Sequence, residues 1–303
     1  MIKPNRDTFT PDALLLGEQA YSQEHIEKVM TEVRKNFPKY FKSFSINSKI
    51  PVQPATLLKH VFDKDIEAFK NEQTKYRAFF DLEALDEYED NPNGFKSDFQ
   101  KKVPIILNCM HTDAKEMQKY QYNFREKSGR ELLDVTRNII NFGENFIKTF
   151  DDKRHEQTKS VNELGLKELG EEKYISHLVI GGGIKSNFLY SLYPNAFSNR
   201  SQSGIWSLWY LVDKNTFGFK DDSEFLMIHL AEGKTHQNYH YPYDLFSYYA
   251  LQIYLLLKEA CTSEGVILQD SYRYIYLESF FNHIAEVNSK EISDLKKDGE
   301  YEE

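Results

Sequence analysis

The chain has 303 residues, 40% of them hydrophobic and 15% aromatic, and a formal charge of −9 at pH 7. This is ample for the packed core of one large or two ordinary domains, while the acidic balance excludes a broad basic surface for non-specific nucleic-acid binding and an anionic membrane as partner. Two cysteines, Cys109 and Cys261, are too few for a disulfide framework or a four-thiolate zinc site, and the N-terminus lacks the apolar run of a signal peptide; a cytoplasmic protein is predicted.

Helical periodicity dominates the first half. Ser22 is a suitable N-cap, and Ile26, Val29, Met30, Val33 and Phe37 keep i, i+3, i+4 spacing until Pro38 ends the pattern. A second helix is predicted from Pro54 to Phe69, with Leu57, Leu58, Val61, Phe62, Ile66 and Phe69 on one face. A third begins near Glu72, carries Tyr76, Phe79, Phe80, Leu82 and Leu85, and stops in "DEYEDNPNG". From Glu131 to Phe150 the apolar pairs Leu132 and Leu133, Ile139 and Ile140, Phe146 and Ile147 recur at a constant spacing, which predicts a long helix with one continuous apolar stripe. The charged stretch from Asp151 to Lys173 then reads as a domain boundary, closing an N-terminal helical region at about residue 160.

Beyond it, "YISHLVI" suits a short strand or a helix end, the glycines Gly181, Gly182 and Gly183 break it, and "IKSNFLYSLY" resumes helical spacing until Pro194. "SQSGIWSLWYLV" is helical by spacing, "SEFLMIHLAE" is ambiguous, Tyr243 to Ala260 reads as a buried helix, and "YRYIYLESFFNHIAEV" as a last amphipathic one. Leu245 to Ala260 is too short and too polar to span a bilayer, so no membrane is expected. The fold class is therefore mainly α: a helical region 1–160, a helical C-terminal domain 161–287 with a glycine turn, and a charged tail 288–303 expected to be disordered.

Most signatures of chemistry fail on inspection. A nucleotide loop would need glycines at Val179 and Ile184, and a dinucleotide fingerprint would need one at Ser186. "EDNPNGFKSDFQ" imitates a calcium loop but ends on Gln100 where a bidentate Glu belongs, and reads as a solvated turn. His236 and His240 sit in a segment that reads as a polar loop. Glu171-Glu172-Lys173 and Asp151-Asp152-Lys153 lie in the charged connector, not on an apolar strand, and Cys109 with His111 reads as a buried thiol beside a surface imidazole. No metal and no cofactor are predicted.

The glycine segment fares better. Tyr174 to Val212 contains no Asp or Glu but carries Lys185 and Arg200 inside an acidic chain, an asymmetry that a buried apolar segment also produces. Glycines ahead of a helix let successive N–H groups converge on one anion, with the positive end of the helix dipole behind them. Gly181, Gly182, Gly183, Lys185, Ser186 and Arg200 are the predicted phosphate-binding residues. Tyr190, Tyr193, Phe197, Trp206, Trp209 and Tyr210 offer planar faces for bases, although Trp206 and Trp209 are spaced as core residues on a helix.

"VIGGGIKSNFLYSLY" resembles the helix-hairpin-helix element of DNA glycosylases and related DNA-binding proteins, with Gly182 in place of the central apolar residue and Asn187 in place of a small Ala. The resemblance implies contact with a DNA or RNA phosphate backbone and makes Lys185 the candidate for a catalytic nucleophile. It supplies no partner Asp, since Ser201, Gln202 and Ser203 occupy that neighbourhood and no carboxylate precedes Asp213, which weighs against base excision and leaves the hairpin open to a role in binding alone. "LYPNAF" and the polar-capped helix after it resemble segments of restriction and phage-defence proteins. Three alternatives stay open: glycines that merely permit close helix packing, an all-α protein with a protein partner, and a metal-dependent nuclease whose carboxylates come from distant segments.

Overall fold

A computed structural model describes residues 17–46, 52–218, 223–230 and 233–297. Among these residues it contains thirteen α-helices and one two-stranded antiparallel sheet, so the protein is mainly α. None of these helices is long and apolar enough to cross a membrane.

Helix α1 spans Gln23–Ser45, and the Ser22 hydroxyl accepts from the His25 amide at 3.2 Å as its cap. It continues through Pro38, against the sequence expectation. Proline removes one intrahelical donor, yet Phe37, Tyr40 and Phe44 stay buried on one face, with Phe37 and Phe44 both against the Phe280 ring, so tertiary packing outweighs the lost bond. The second predicted helix and the beginning of the third, to Phe79, are one continuous helix, α2, Pro54–Phe79, which presents Leu58, Phe62, Tyr76 and Phe79 to the core. The chain breaks at Asp81, whose carboxylate caps α3, Leu82–Asp86, by accepting from Ala84 N at 3.1 Å. The calcium-like stretch is a helix start: Asn91 accepts from Gly94 N at 3.0 Å and opens α4, Pro92–Lys102. Helices α5, Pro104–His111, and α6, Lys115–Glu126, lead to the long α7, Gly129–Lys148, and the short α8, Asp152–Glu156.

After three single-turn 3-10 segments the chain enters α9, Gly182–Leu192, and α10, Gln202–Leu211. Strand β1, Leu226–His229, pairs antiparallel with β2, Lys234–Gln237, in the register Leu226 opposite Gln237 and His229 opposite Lys234. His236 thus lies on a strand, not in a loop. Helices α11, Tyr243–Ser263, and α12, Arg273–Val287, complete the C-terminal half, followed by α13, Ser289–Leu295. The expected disordered tail therefore begins as a helix, anchored by buried Ile292 and by a Lys214–Glu291 ion pair; residues 298–303 lie outside the described part.

One hydrophobic core runs from Ala20 to Ile292. Helix α1 packs on α10, α11 and α12, and α2 packs on α9 and α12, so residues on both sides of position 160 build the same interior. The charged connector is tied into it. Val161, Leu164, Leu166, Leu169 and Tyr174 are buried, and the fully buried Arg273 donates to Asp152 at 3.0 Å and Glu156 at 3.2 Å. Its apolar positions are spaced one or two per 3-10 turn, a rhythm hidden among charges that face solvent.

Candidate functional site

The approach to the glycines is a tight turn. Ser176 N donates to Ile180 O at 3.1 Å and Ile180 N to Ser176 O at 2.7 Å, while Leu178 takes a left-handed φ of 66° at the tip. What precedes it is the 3-10 turn Glu172–Tyr174, so a helix is found on one side of the glycines only. Gly181 is the N-cap of α9, and Gly182 and Gly183 form its first turn. That start has no side-chain cap, and its first bond is Lys185 N to Gly181 O at 3.0 Å. Gly181 is exposed and the next two glycines are half-buried, so this end of the helix, with its unpaired N–H groups and positive dipole end, meets solvent.

Beneath it sit cations. Lys185 is only 3% exposed and turns inward, where its ammonium donates to the Leu169 carbonyl. Burial, and then the neighbouring Arg200, push its pKa down to about 8. Arg200 comes from the segment between α9 and α10 and is 5% exposed. Its Nη2 donates to the Asn238 carbonyl at 2.7 Å, and its guanidinium stands close to Gly182, with Nη1 3.1 Å from where a Cβ there would lie. The Nε is buried and has no hydrogen-bond partner. Burial lowers the Arg200 pKa to about 10, opposed only by Tyr241. Among the described residues neither cation is paired with a carboxylate.

Ser186 links the two segments. Its hydroxyl donates to Gly183 O at 2.9 Å and accepts from Arg200 N at 3.0 Å, so it is a buried clasp and not a surface ligand. Asn238 fixes the other side: its amide donates to Glu224 O at 2.9 Å and its side-chain oxygen accepts from His240 N at 3.0 Å, which aims its own carbonyl at Arg200. Close by, the Tyr241 hydroxyl and one Glu224 oxygen are buried without hydrogen-bond partners, the other Glu224 oxygen meeting His25 Nε2 at 2.8 Å.

The predicted residues Gly181, Gly182, Gly183, Lys185, Ser186 and Arg200 thus converge on the first turns of one helix. Their roles differ from those expected. Lys185 is interior and held by a carbonyl, which removes it as a nucleophile open to solvent. The expected stacking platform is absent as well: Tyr190, Phe197, Trp206 and Tyr210 are buried in the core, and Tyr193 and Trp209 pack half-buried against it. Sequence reasoning passed over Asn238, which lies between two histidines weighed for a metal, and Glu278, whose half-buried carboxylate accepts from Asn199 Nδ2 at 3.3 Å and is pushed up to about 7 by burial.

Electrostatically the site is a positive well without its own counter-ion. Buried charges without partners are expensive, and a helix start adds partial charge of the same sign. A bound anion would relieve both. No group of three or more His, Cys, Asp or Glu side chains converges as a metal would require among the described residues. Compared with known proteins, the chain matches no family model, no curated protein and no solved structure.

Proposed function

We propose that the protein binds a nucleic acid through phosphate held at the start of α9, in the cytoplasm. The amides of the first turn and the Arg200 guanidinium are the ligands; Lys185 raises the local potential from behind, and Ser186 and Asn238 hold Arg200 in place. The observation that carries this reading is the Arg200 guanidinium, whose Nη1 stands beside the uncapped first turn at Gly182 with no carboxylate paired to it among the described residues. A buried cation beside unpaired first-turn amides lacks a counter-charge, and an anion at the helix start supplies one. Such contacts position a strand without reading its sequence, which suits a repair, restriction or phage-defence role.

The test is anisotropy of labelled DNA and RNA oligonucleotides over a salt series. Wild type is expected to show affinity that falls with salt. Arg200→Met, which keeps the volume and removes the charge, is expected to weaken binding about tenfold and to shallow the salt slope by about one phosphate. Absence of salt-dependent binding to either nucleic acid sinks the proposal.

A further inference from the structure

The charge and depth of this site constrain the kind of phosphate it takes. Lys185 and Arg200, 3% and 5% exposed, bring full positive charges to one helix start with no carboxylate partner among the described residues. An internal phosphodiester carries one negative charge and two unesterified oxygens, whereas a phosphate monoester carries about −1.5 to −2 at pH 7 and three strong acceptor oxygens. The monoester matches the charge count. Its oxygens can accept from the first-turn amides and from the Arg200 Nη1 beside Gly182.

Depth argues the same way. A diester is tethered on both sides and keeps its strand at the surface, while a monoester is tethered on one side and can descend toward Arg200, a residue only 5% exposed. Resting on the nucleic-acid reading above, we propose that the phosphate bound at the start of α9 is a monoester, the terminal phosphate of a strand or of a mononucleotide, and not an internal linkage.

The experiment uses the full chain and single strands of one sequence carrying a 5′-phosphate, a 3′-phosphate, or hydroxyls at both ends, with a mononucleotide and inorganic phosphate as competitors. At least one end-phosphorylated strand is expected to bind about tenfold more tightly than the dihydroxyl strand, and Arg200→Met to erase that difference. Thermal melts check that this variant is folded, and Lys185→Met gives a second, weaker version of the same loss. Competition by the mononucleotide at the affinity of the strand end assigns the free nucleotide as source; weaker competition assigns the strand end. Equal binding of all strands, weakened alike by Arg200→Met, overturns the monoester and leaves the nucleic-acid reading intact. Binding of mononucleotide without any strand keeps the monoester and overturns the nucleic acid, and binding of none overturns both.

Discussion

The Arg200 guanidinium rests on Gly182 so closely that a Cβ added there would lie 3.1 Å from Nη1 and 3.4 Å from Cζ. Gly182 is a glycine for space, since the position lies in an ordinary helical turn. At Gly183 the nearest neighbour, the Arg200 carbonyl oxygen, would be 3.7 Å away, an ordinary contact.

Alanine at these two positions is therefore expected to act in opposite ways. Gly183→Ala gains roughly 0.5 kcal/mol from reduced freedom of the unfolded chain and leaves the guanidinium where it is. Gly182→Ala displaces the guanidinium and weakens phosphate binding several-fold. Urea melts and phosphate titrations of the two variants, side by side, check the contrast.

Phosphate affinity is expected to trace a bell against pH. On the acid side it rises as the monoester sheds its second proton near pH ~6. On the alkaline side it falls as Lys185, with its pKa near 8, loses its charge. The groups facing this ammonium are Arg200 and the Leu169 carbonyl, and Arg200 in turn faces Tyr241 and Asn238. In Lys185→Met the alkaline limb should move toward the Arg200 value of about 10. A limb that stays at 8 in the variant assigns it elsewhere.

Glu278 predicts the pH dependence of stability. Burial raises its pKa to about 7, against the hydrogen bonds from Ser201 and Asn199. Between its ordinary value and 7 the folded protein keeps a proton that the unfolded chain has released, so the contribution is present at acid pH and is lost as pH rises through 7. The size is on the order of 2 kcal/mol. Glu278→Gln should flatten this part of the profile in melts between pH 5 and 8.

Leu178 sits at φ 66° and is 48% exposed. A left-handed conformation costs a leucine about 1 kcal/mol and a β-branched residue more. Leu178→Gly is expected to raise stability by roughly 0.5 kcal/mol and Leu178→Val to lower it by about 1 kcal/mol or more, read from denaturant midpoints.

The helices legible in the sequence were those with one buried face and one wet face, α1 and α7 among them. Boundaries went astray where packing overrode a local signal, as at Pro38, and where a polar run interrupts the apolar stripe of one helix, as Lys70 to Lys75 does in α2. The start of α9 was legible because three glycines interrupt an apolar run and helical spacing resumes behind them. That Arg200 reaches Gly182 was not, since nothing local says which way a side chain in a connecting segment turns. The acid-free stretch reflects burial as much as charge: α9 and α10 are enclosed on nearly every side, and carboxylates are excluded from such positions unless paired.

Because α1 and α2 share their interior with α10, α11 and α12, the first half of the chain has no finished partner surface while it leaves the ribosome. Phe44 and Phe62 wait for Phe280 and Tyr276, more than two hundred residues later. Folding is completed only after α12 has been made, and segments severed between α2 and α9 should regain structure only by reassociating with each other.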